Sequence, residues 1–360
     1  MHMADALLPP AVAGVMYAAS AVVAGASIVE LHKEEKQDLT SAAKKLPTMA
    51  VMSALVFAGQ MINYTIPGTG SSGHLCGGLL LTSVLGPWAG FLSMIVILTI
   101  QCLFFADGGL MALGANVWNM AFYGCFVGYF LIYRPLMRSR CFARRGERVA
   151  NRLKITLASV LGCVLTLQLG AFSVVLETML SGITDLPFGA FCAIMQPIHL
   201  AIGLIEGLIT AAVLLFVYQT RPELLQDAAG SGAKNRCSRK AALAILAAAA
   251  LVIGGGLSLL ASSSPDGLEW SLFGNEEAGY SANMGLDEEQ YGTQSAAAEK
   301  AAAVQEKTSF LPDYGFADSD SAAGTSVSGL VGCVSVAGLA GLICLAGSLA
   351  RKKKKQTAAG

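Results

Sequence analysis

The stretch WAGFLSMIVILTIQCLFFA, residues 88–106, decides the fold class because it carries no charged residue from end to end. About 20 helical residues cross the hydrocarbon core of a bilayer. Similar apolar runs occur at 10–30, 47–63, 110–133, 153–180, 188–218, 241–261 and 327–350, with a shorter one at 75–86. Backbone polar groups in lipid must be satisfied within their own segment, so these runs predict helices. We therefore expect an all-α, polytopic membrane protein.

The composition agrees with a chain that lies mostly in lipid. Hydrophobic residues make up 54% of the sequence and charged residues 13%, about half the charged share of a soluble domain. Nine cysteines lack any C-x-x-C spacing and are interpreted as small apolar residues. A Walker A loop, an H-E-x-x-H motif and a nucleophile elbow are all missing from the sequence. We expect no enzyme activity, no nucleic-acid partner, and ATP hydrolysis only through a partner.

Basic residues predict the orientation of the helices. The loop 134–152 holds seven arginines and one glutamate, and the loops 31–45 and 219–240 and the tail 351–360 are also basic. The positive-inside rule places all four in the cytoplasm. An even number of crossings must then separate 31–45 from 134–152, so 75–86 counts as its own helix. The prediction is nine helices, N-terminus outside and C-terminus inside, with irregular glycine-rich backbone dipping into the membrane before 75–86.

The chain divides into two unequal units. Residues 1–220 predict a seven-helix bundle, and 221–240 predict a cytoplasmic linker. Residues 241–350 predict a two-helix hairpin whose long external loop, 262–326, contains twelve Asp and Glu residues. That loop is predicted to be flexible for much of its length. The tail 351–360 is predicted to be cytoplasmic.

A histidine at position two is the basis of the predicted metal site. A free α-amine at Met1, the amide nitrogen of His2 and its imidazole can close fused chelate rings on one ion, leaving one position for a second imidazole. His74, in the glycine-rich stretch IPGTGSSGHLCGG (66–78), is predicted on the same outer side. Four nitrogens in a plane suit Ni(II), Cu(II) or Co(II) better than Mg²⁺ or Ca²⁺. Two alternatives need no metal. Met1-His2 could be only an accident of where translation begins, and His74 could be a structural residue that caps a helix.

Polar residues near this site are candidates for holding the ligands in place. His199 and Glu206 lie two helical turns apart and share one face of an apolar helix. Ionisable groups at that depth face the protein interior or a cavity, so the two either support the metal or hold helices together. Ser71 and Ser72 in the glycine-rich stretch are further candidates. Other polar residues of the apolar runs are interpreted as interfacial (Asp107, Glu177) or as interhelical hydrogen-bond partners (Asn63, Asn116, Asn119).

Several ordered motifs resemble one known family. MHMADALLPPAV (1–12), VMSALVFAGQMINYTIPGTGSSGHLCGGLLL (51–81), LGPWAGFL (85–92), FFADGGLMALGANVWNMA (104–121) and HLAIGLIEGLITA (199–211) are similar to the CbiM/NikM family, the substrate-binding S components of energy-coupling-factor (ECF) transporters for cobalt and nickel. In that family the N-terminal Met-His and the histidine after the glycine-rich loop bind the metal. The resemblance therefore implies Met1, His2 and His74 as ligands.

The C-terminal unit carries a second resemblance. SSSPDGLEW (262–270) is similar to the PDGLE motif of the companion N component, here fused to the first unit. The family works with a transmembrane coupling protein, the T component, and with cytoplasmic ATPases, so the same partners are implied.

The sequence thus predicts a substrate-capture subunit of an ATP-driven importer of Co²⁺ or Ni²⁺, multi-pass in a bacterial or archaeal cytoplasmic membrane. The resemblance links cobalt uptake to cobalamin biosynthesis. One alternative is a membrane metalloenzyme in which a metal ion at the same nitrogen site acts as a Lewis acid, with Glu206 as its deep carboxylate. Another is a passive channel or sensor. Copurification of ATPase and coupling subunits would separate both from the importer. The choice between cobalt and nickel stays open.

Overall fold

The computed structural model describes residues 1–37, 39–182, 186–227, 235–280, 284, 295–317, 319 and 321–357, and the side chains among them except 35–44 and 344–357. Eleven helices organise the described chain. They are α1 (Pro10–Gln37), α2 (Leu39–Gln60), α3 (Gly78–Leu85), α4 (Pro87–Phe105), α5 (Leu113–Arg138), α6 (Glu147–Ser181), α7 (Phe188–Thr220), α8 (Arg239–Gly255), α9 (Gly267–Phe273), α10 (Ala296–Thr308) and α11 (Ala322–Thr357). The middle of α5, Val117–Tyr133, is wound as a π-helix.

The helices confirm a multi-pass, helical membrane protein. Six helical stretches of the described chain are long and apolar enough to cross a bilayer: Pro10–Glu34, Pro87–Phe105, Leu113–Arg138, Glu147–Ser181, Phe188–Thr220 and Ala322–Ile343. Each of the remaining apolar runs also contains a helix, but α3 has 8 residues and α8 has 17. The count of nine crossings and the orientation of the termini stay predictions.

The predicted loop 31–45 is wrong in its extent. Helix α1 continues to Gln37 and α2 begins at Leu39, so most of that segment is helical. Its Lys, Glu, Gln and Ala residues are strong helix formers, and no glycine or proline interrupts them before Pro47. Hydropathy predicts only where an apolar run ends, whereas a helix can continue through polar residues that favour it.

The sequence predicts an irregular backbone for the glycine-rich stretch, and this prediction is wrong for part of it. An antiparallel hairpin forms from β1 (Tyr64–Ile66) and β2 (Ser71–Gly73), with Thr65 paired to Ser72. Gly68 and Gly70 adopt positive φ angles of 77° and 70° in the turn between the strands, a conformation that glycine adopts without strain. His74 follows the hairpin directly, four residues before α3 begins at Gly78.

The C-terminal unit packs against the first unit at several places. Helices α8 and α11 pack on each other and on α2. A Cβ at Gly329 would lie 1.8 Å from the Gly254 carbonyl oxygen, so α8 and α11 meet backbone to backbone. Beyond α9, Asn275 Nδ2 donates to the Gly70 carbonyl at 2.8 Å and Tyr280 Oη donates to the Gly68 carbonyl at 2.6 Å.

The external loop 262–326 is more structured than predicted in its described parts. Helix α9 begins at an Asp266 cap and α10 at a Ser295 cap, each side chain accepting from backbone N–H groups of its helix. Aspartate and serine are among the strongest N-cap residues, which explains two helices in a polar segment. The residues 281–283 and 285–294, and the linker residues 228–234, lie outside the described chain.

Candidate metal centre

The N-terminus is threaded into the bundle. The Met3 N–H donates to Asn116 Oδ1 at 2.7 Å, and Asn116 Nδ2 donates back to the Met3 carbonyl at 3.1 Å. The Gly109 N–H also donates to that carbonyl, at 2.9 Å. A Cβ at Gly109 would lie 1.9 Å from Asp5 Oδ1, so only glycine admits the N-terminal segment here. Asn116, predicted to bridge helices, instead holds the backbone next to Met1 and His2.

His2 and His74 come together as predicted. Their rings are stacked with centroids 5.2 Å apart and planes 23° apart. His2 Nδ1 lies 3.1 Å from Asp107 Oδ1, and His2 Nε2 lies 3.3 Å from Gln101 Oε1. The sequence analysis interpreted Asp107 as an interfacial residue. The structure shows in addition that Asp107 is a direct partner of His2.

A chain of amides fixes the group that faces His2 Nε2. Gln60 Nε2 donates to the Cys76 carbonyl at 2.8 Å, and Gln101 Nε2 donates to Gln60 Oε1 at 2.9 Å. Because a carbonyl only accepts, each amide has one orientation, and Gln101 presents its oxygen to His2. Both ring nitrogens of His2 thus face oxygen atoms of neighbouring side chains.

The hydrogen bond of His74 selects its free nitrogen. His74 Nδ1 lies 3.1 Å from the Leu75 carbonyl, which can only accept, so Nδ1 carries the proton and Nε2 carries the lone pair. Burial, followed by the charges of the Met1 α-amine and His2, lowers the pKa of His74 to about 4. His74 is therefore a neutral imidazole at physiological pH, the form that ligates metals.

The Met1 α-amine has a carboxylate partner that the sequence reasoning missed. It lies 2.7 Å from Asp266 Oδ2, in the C-terminal unit. Burial lowers the pKa of the amine, but the charge and hydrogen bond of Asp266 outweigh burial and raise it above its ordinary value. Burial raises the pKa of Asp266, and the amine and His74 reverse that effect and hold it well below its usual range. The PDGLE resemblance was the only signal, and it did not reveal this contact.

Glu206 holds the backbone that carries His74. Its two carboxylate oxygens accept from the N–H groups of Cys76 and Gly77, each at 2.9 Å. The side chain is 1% exposed, so these bonds are shielded from water. Glu206 acts behind the predicted ligand, as one of the two sequence alternatives proposed.

His199 lies beside the same site without touching its backbone. His199 Nδ1 bonds to the Met195 carbonyl at 2.8 Å, and Nε2 has no hydrogen-bond partner among the described residues. It lines a cavity of about 10 Å³ together with Met1 and His74. That volume is about one water molecule.

Ser71 and Ser72 shape the loop instead of facing the ligands. The Ser71 hydroxyl donates to the Ser72 carbonyl at 3.2 Å. The Ser72 hydroxyl donates to the Ser264 carbonyl at 2.7 Å, and the Ser72 N–H donates to the Pro265 carbonyl at 2.8 Å. Ser72 therefore joins the hairpin to the C-terminal unit.

Glu177 is also not interfacial, because its side chain is buried. Its Oε2 accepts from Asn119 Nδ2 at 2.8 Å, which joins α6 to α5. Asn119 is thus the interhelical partner that the sequence predicted.

A cavity of about 740 Å³ opens over His2 and His74 between the two units. Its walls are rich in carboxylates: Asp5, Asp107, Asp266, Glu269 and Asp313. Among the described residues, no three His, Cys, Asp or Glu side chains are grouped to hold a metal ion.

Comparison with known proteins gives consistent similarities. A family described as "Cobalt uptake substrate-specific transmembrane region" matches residues 2–224, and the "PDGLE domain" matches 240–348. A protein of Archaeoglobus fulgidus, provisionally named the fused nickel transport protein NikMN, is 36% identical over 93% of this chain and 95% of its own length. The probable fused nickel transport protein LarMN of Lactiplantibacillus plantarum is 32% identical over 75% of this chain and 78% of its own length.

Two further matches cover mainly the first unit. The cobalt transport protein CbiM of Sorangium cellulosum is 31% identical over 62% of this chain and 94% of its own length. A crystal structure of a truncated transition metal transporter is 30% identical, covers 60% of this chain and 98% of its own chain, and has a TM-score of 0.48.

Proposed function

The chain belongs to the family of cobalt uptake substrate-specific transmembrane regions, and we propose that it captures Ni²⁺ or Co²⁺ for an ECF-type importer. The supporting observation is the stacked His2–His74 pair beside the buried Met1 α-amine. The ligands would be the α-amine, the amide nitrogen and imidazole of His2, and His74 Nε2. Nitrogen ligands of this kind suit late first-row divalent ions.

To bind the ion, His2 Nδ1 and the Met1 α-amine would each have to leave the carboxylate that they now contact. A six-membered chelate through the His2 amide requires His2 Nδ1, which now lies 3.1 Å from Asp107. The α-amine, 2.7 Å from Asp266, must likewise turn toward the ion. Both carboxylates would remain beside the new cationic centre and offset its charge.

Protons leave as the ion binds. The α-amine must become neutral and the His2 amide must lose its hydrogen, because metal ligands bind in deprotonated form. His74 needs no such change, since its pKa of about 4 keeps it neutral. Loading would therefore release protons into the outer cavity.

The geometry disfavours the metalloenzyme alternative. Glu206 is the carboxylate that this alternative assigns as its base, and both oxygens of Glu206 already accept backbone N–H groups. A general base must reach the proton it removes, and Glu206 is committed to the His74 loop. A substrate-capture role requires only that the loop be held in place.

Transport through the membrane would be driven by partners. We expect a transmembrane coupling protein and cytoplasmic ATPases, because the sequence holds no Walker A loop. Nickel is the first ion to test, since the Archaeoglobus and Lactiplantibacillus relatives, whose matches extend beyond the first unit, are named fused nickel transport proteins.

Uptake by intact cells tests this function. Cells expressing the chain with its coupling and ATPase subunits should accumulate ⁶³Ni or ⁵⁷Co only when the ATPase is active, and the subunits should copurify. Accumulation without any ATPase would support the channel alternative and contradict the importer.

A further inference from the structure

The PDG turn at the start of α9 is packed onto the candidate metal centre through three consecutive residues. The Pro265 carbonyl accepts from the Ser72 N–H at 2.8 Å, next to the His74 segment. Asp266 contacts the Met1 α-amine. A Cβ on Gly267 would lie 3.1 Å from His199 Cε1, so a larger residue would crowd that ring.

Asp266 uses its two oxygens for two different purposes. Oδ1 accepts from the N–H groups of Leu268 and Glu269, at 2.8 and 2.9 Å, and so caps α9. Oδ2 holds the α-amine at 2.7 Å. Because the cap fixes the carboxylate plane, the position of Oδ2 is set by the C-terminal unit and not by the N-terminal segment.

The α-amine itself has one polar contact among the described residues, and that contact is with Asp266. Met3 is fixed by Asn116 and Gly109 two residues away, and the Met1 side chain is buried, but these contacts do not reach the amine nitrogen. Among the described residues, Asp266 is the one ion-pair partner of the amine. The amine's place beside His74 therefore depends on this contact.

We propose that Asp266 is a positioning residue for ion capture: the PDG turn of the C-terminal unit holds the Met1 α-amine where the incoming ion meets His2 and His74. The inference rests on the proposed function. It makes the C-terminal unit part of the metal centre, and it gives the acidic residue of the PDG turn a specific chemical task.

One substitution separates the two uses of Asp266. Asp266→Asn keeps an oxygen that caps α9, because asparagine is as good an N-cap as aspartate. The amide nitrogen of the new side chain then faces the α-amine. Both groups are hydrogen-bond donors, so the ion pair and the hydrogen bond with the amine are lost. Tyr280→Phe is the matched control, since it removes a 2.6 Å hydrogen bond between the same two units at Gly68, away from the amine.

Two measurements on the full chain in detergent test the proposal. The first is the Kd for Ni²⁺ and Co²⁺. The second is the rate at which an amine-reactive reagent modifies Met1 in the ion-free chain, followed by mass spectrometry of the N-terminal peptide. Asp266→Asn should weaken ion binding about 10–100-fold, the usual range for a supporting group, and should accelerate modification of Met1. Tyr280→Phe should change neither.

Each other outcome overturns the proposal. Weaker ion binding with unchanged Met1 modification would mean that Asp266 acts only on the fold. Faster modification with unchanged binding would mean that the contact has no role in capture. If the unsubstituted chain binds neither ion, the proposed function fails, and the modification rate still reports whether Asp266 holds the amine.

Discussion

The imidazole rings of His2 and His74 are stacked 5.2 Å apart, although one belongs to the N-terminal segment and the other follows a β-hairpin. Each ring has a separate support. Asp107 faces His2, and Glu206 holds the backbone behind His74.

His74→Ala should weaken Ni²⁺ binding by more than the ~10–100-fold typical of losing a supporting group, because a ligand nitrogen is removed. Isothermal titration of the purified chain measures the loss. His32→Ala, in α1, should bind as the unsubstituted chain does. Equal affinities of both variants would remove His74 from the site.

Glu206→Gln should weaken ion binding about 10–100-fold while the helix content is retained. Glutamine keeps one acceptor oxygen, and its amide nitrogen would face a backbone N–H where the second oxygen accepted one. Glu177→Gln is the control, because Glu177 is buried but does not contact the His74 loop. If the Glu206 variant binds normally, the loop does not depend on this carboxylate.

Asn116→Ala should destabilise the chain by about 1–3 kcal/mol, since the buried Met3 N–H loses its acceptor. Ion binding should weaken as well, because Met3 anchors the chelating segment. Thermal unfolding in detergent and titration measure the two effects. Asn151→Ala, which removes a 3.2 Å bond to Tyr218 far from the site, should leave ion affinity unchanged. Unchanged affinity in Asn116→Ala would argue against the anchor.

Ion affinity should rise with pH between about 6 and 8. The pKa of the Met1 amine is raised above its ordinary 8.0, so the amine holds a proton throughout that range and the ion must displace it. His74, with a pKa of about 4, adds no proton competition there. Each displaced proton makes Kd fall about tenfold per pH unit. A flat profile over this range would show that the amine is not a ligand.

The helices were predictable because lipid imposes a local rule: every apolar run must satisfy its own backbone. The pairing of His2 with His74 was also predictable, from topology and family resemblance. Asp266 was not predictable, since its contact with Met1 joins residues 265 positions apart in the sequence, in two different units. Asp107 was misjudged because hydropathy places it at a helix end and says nothing about which side chain it faces.

We propose the Met1 α-amine as a ligand, and one comparison tests this role most directly: equilibrium Ni²⁺ and Co²⁺ binding by the chain with a free and with an acetylated Met1 α-amine. Acetylation keeps every side chain and leaves His2 at position two, but it removes the lone pair and the charge of the amine. We predict one ion per chain for the free amine and loss of high-affinity binding after acetylation. Equal binding by both would contradict the N-terminal site.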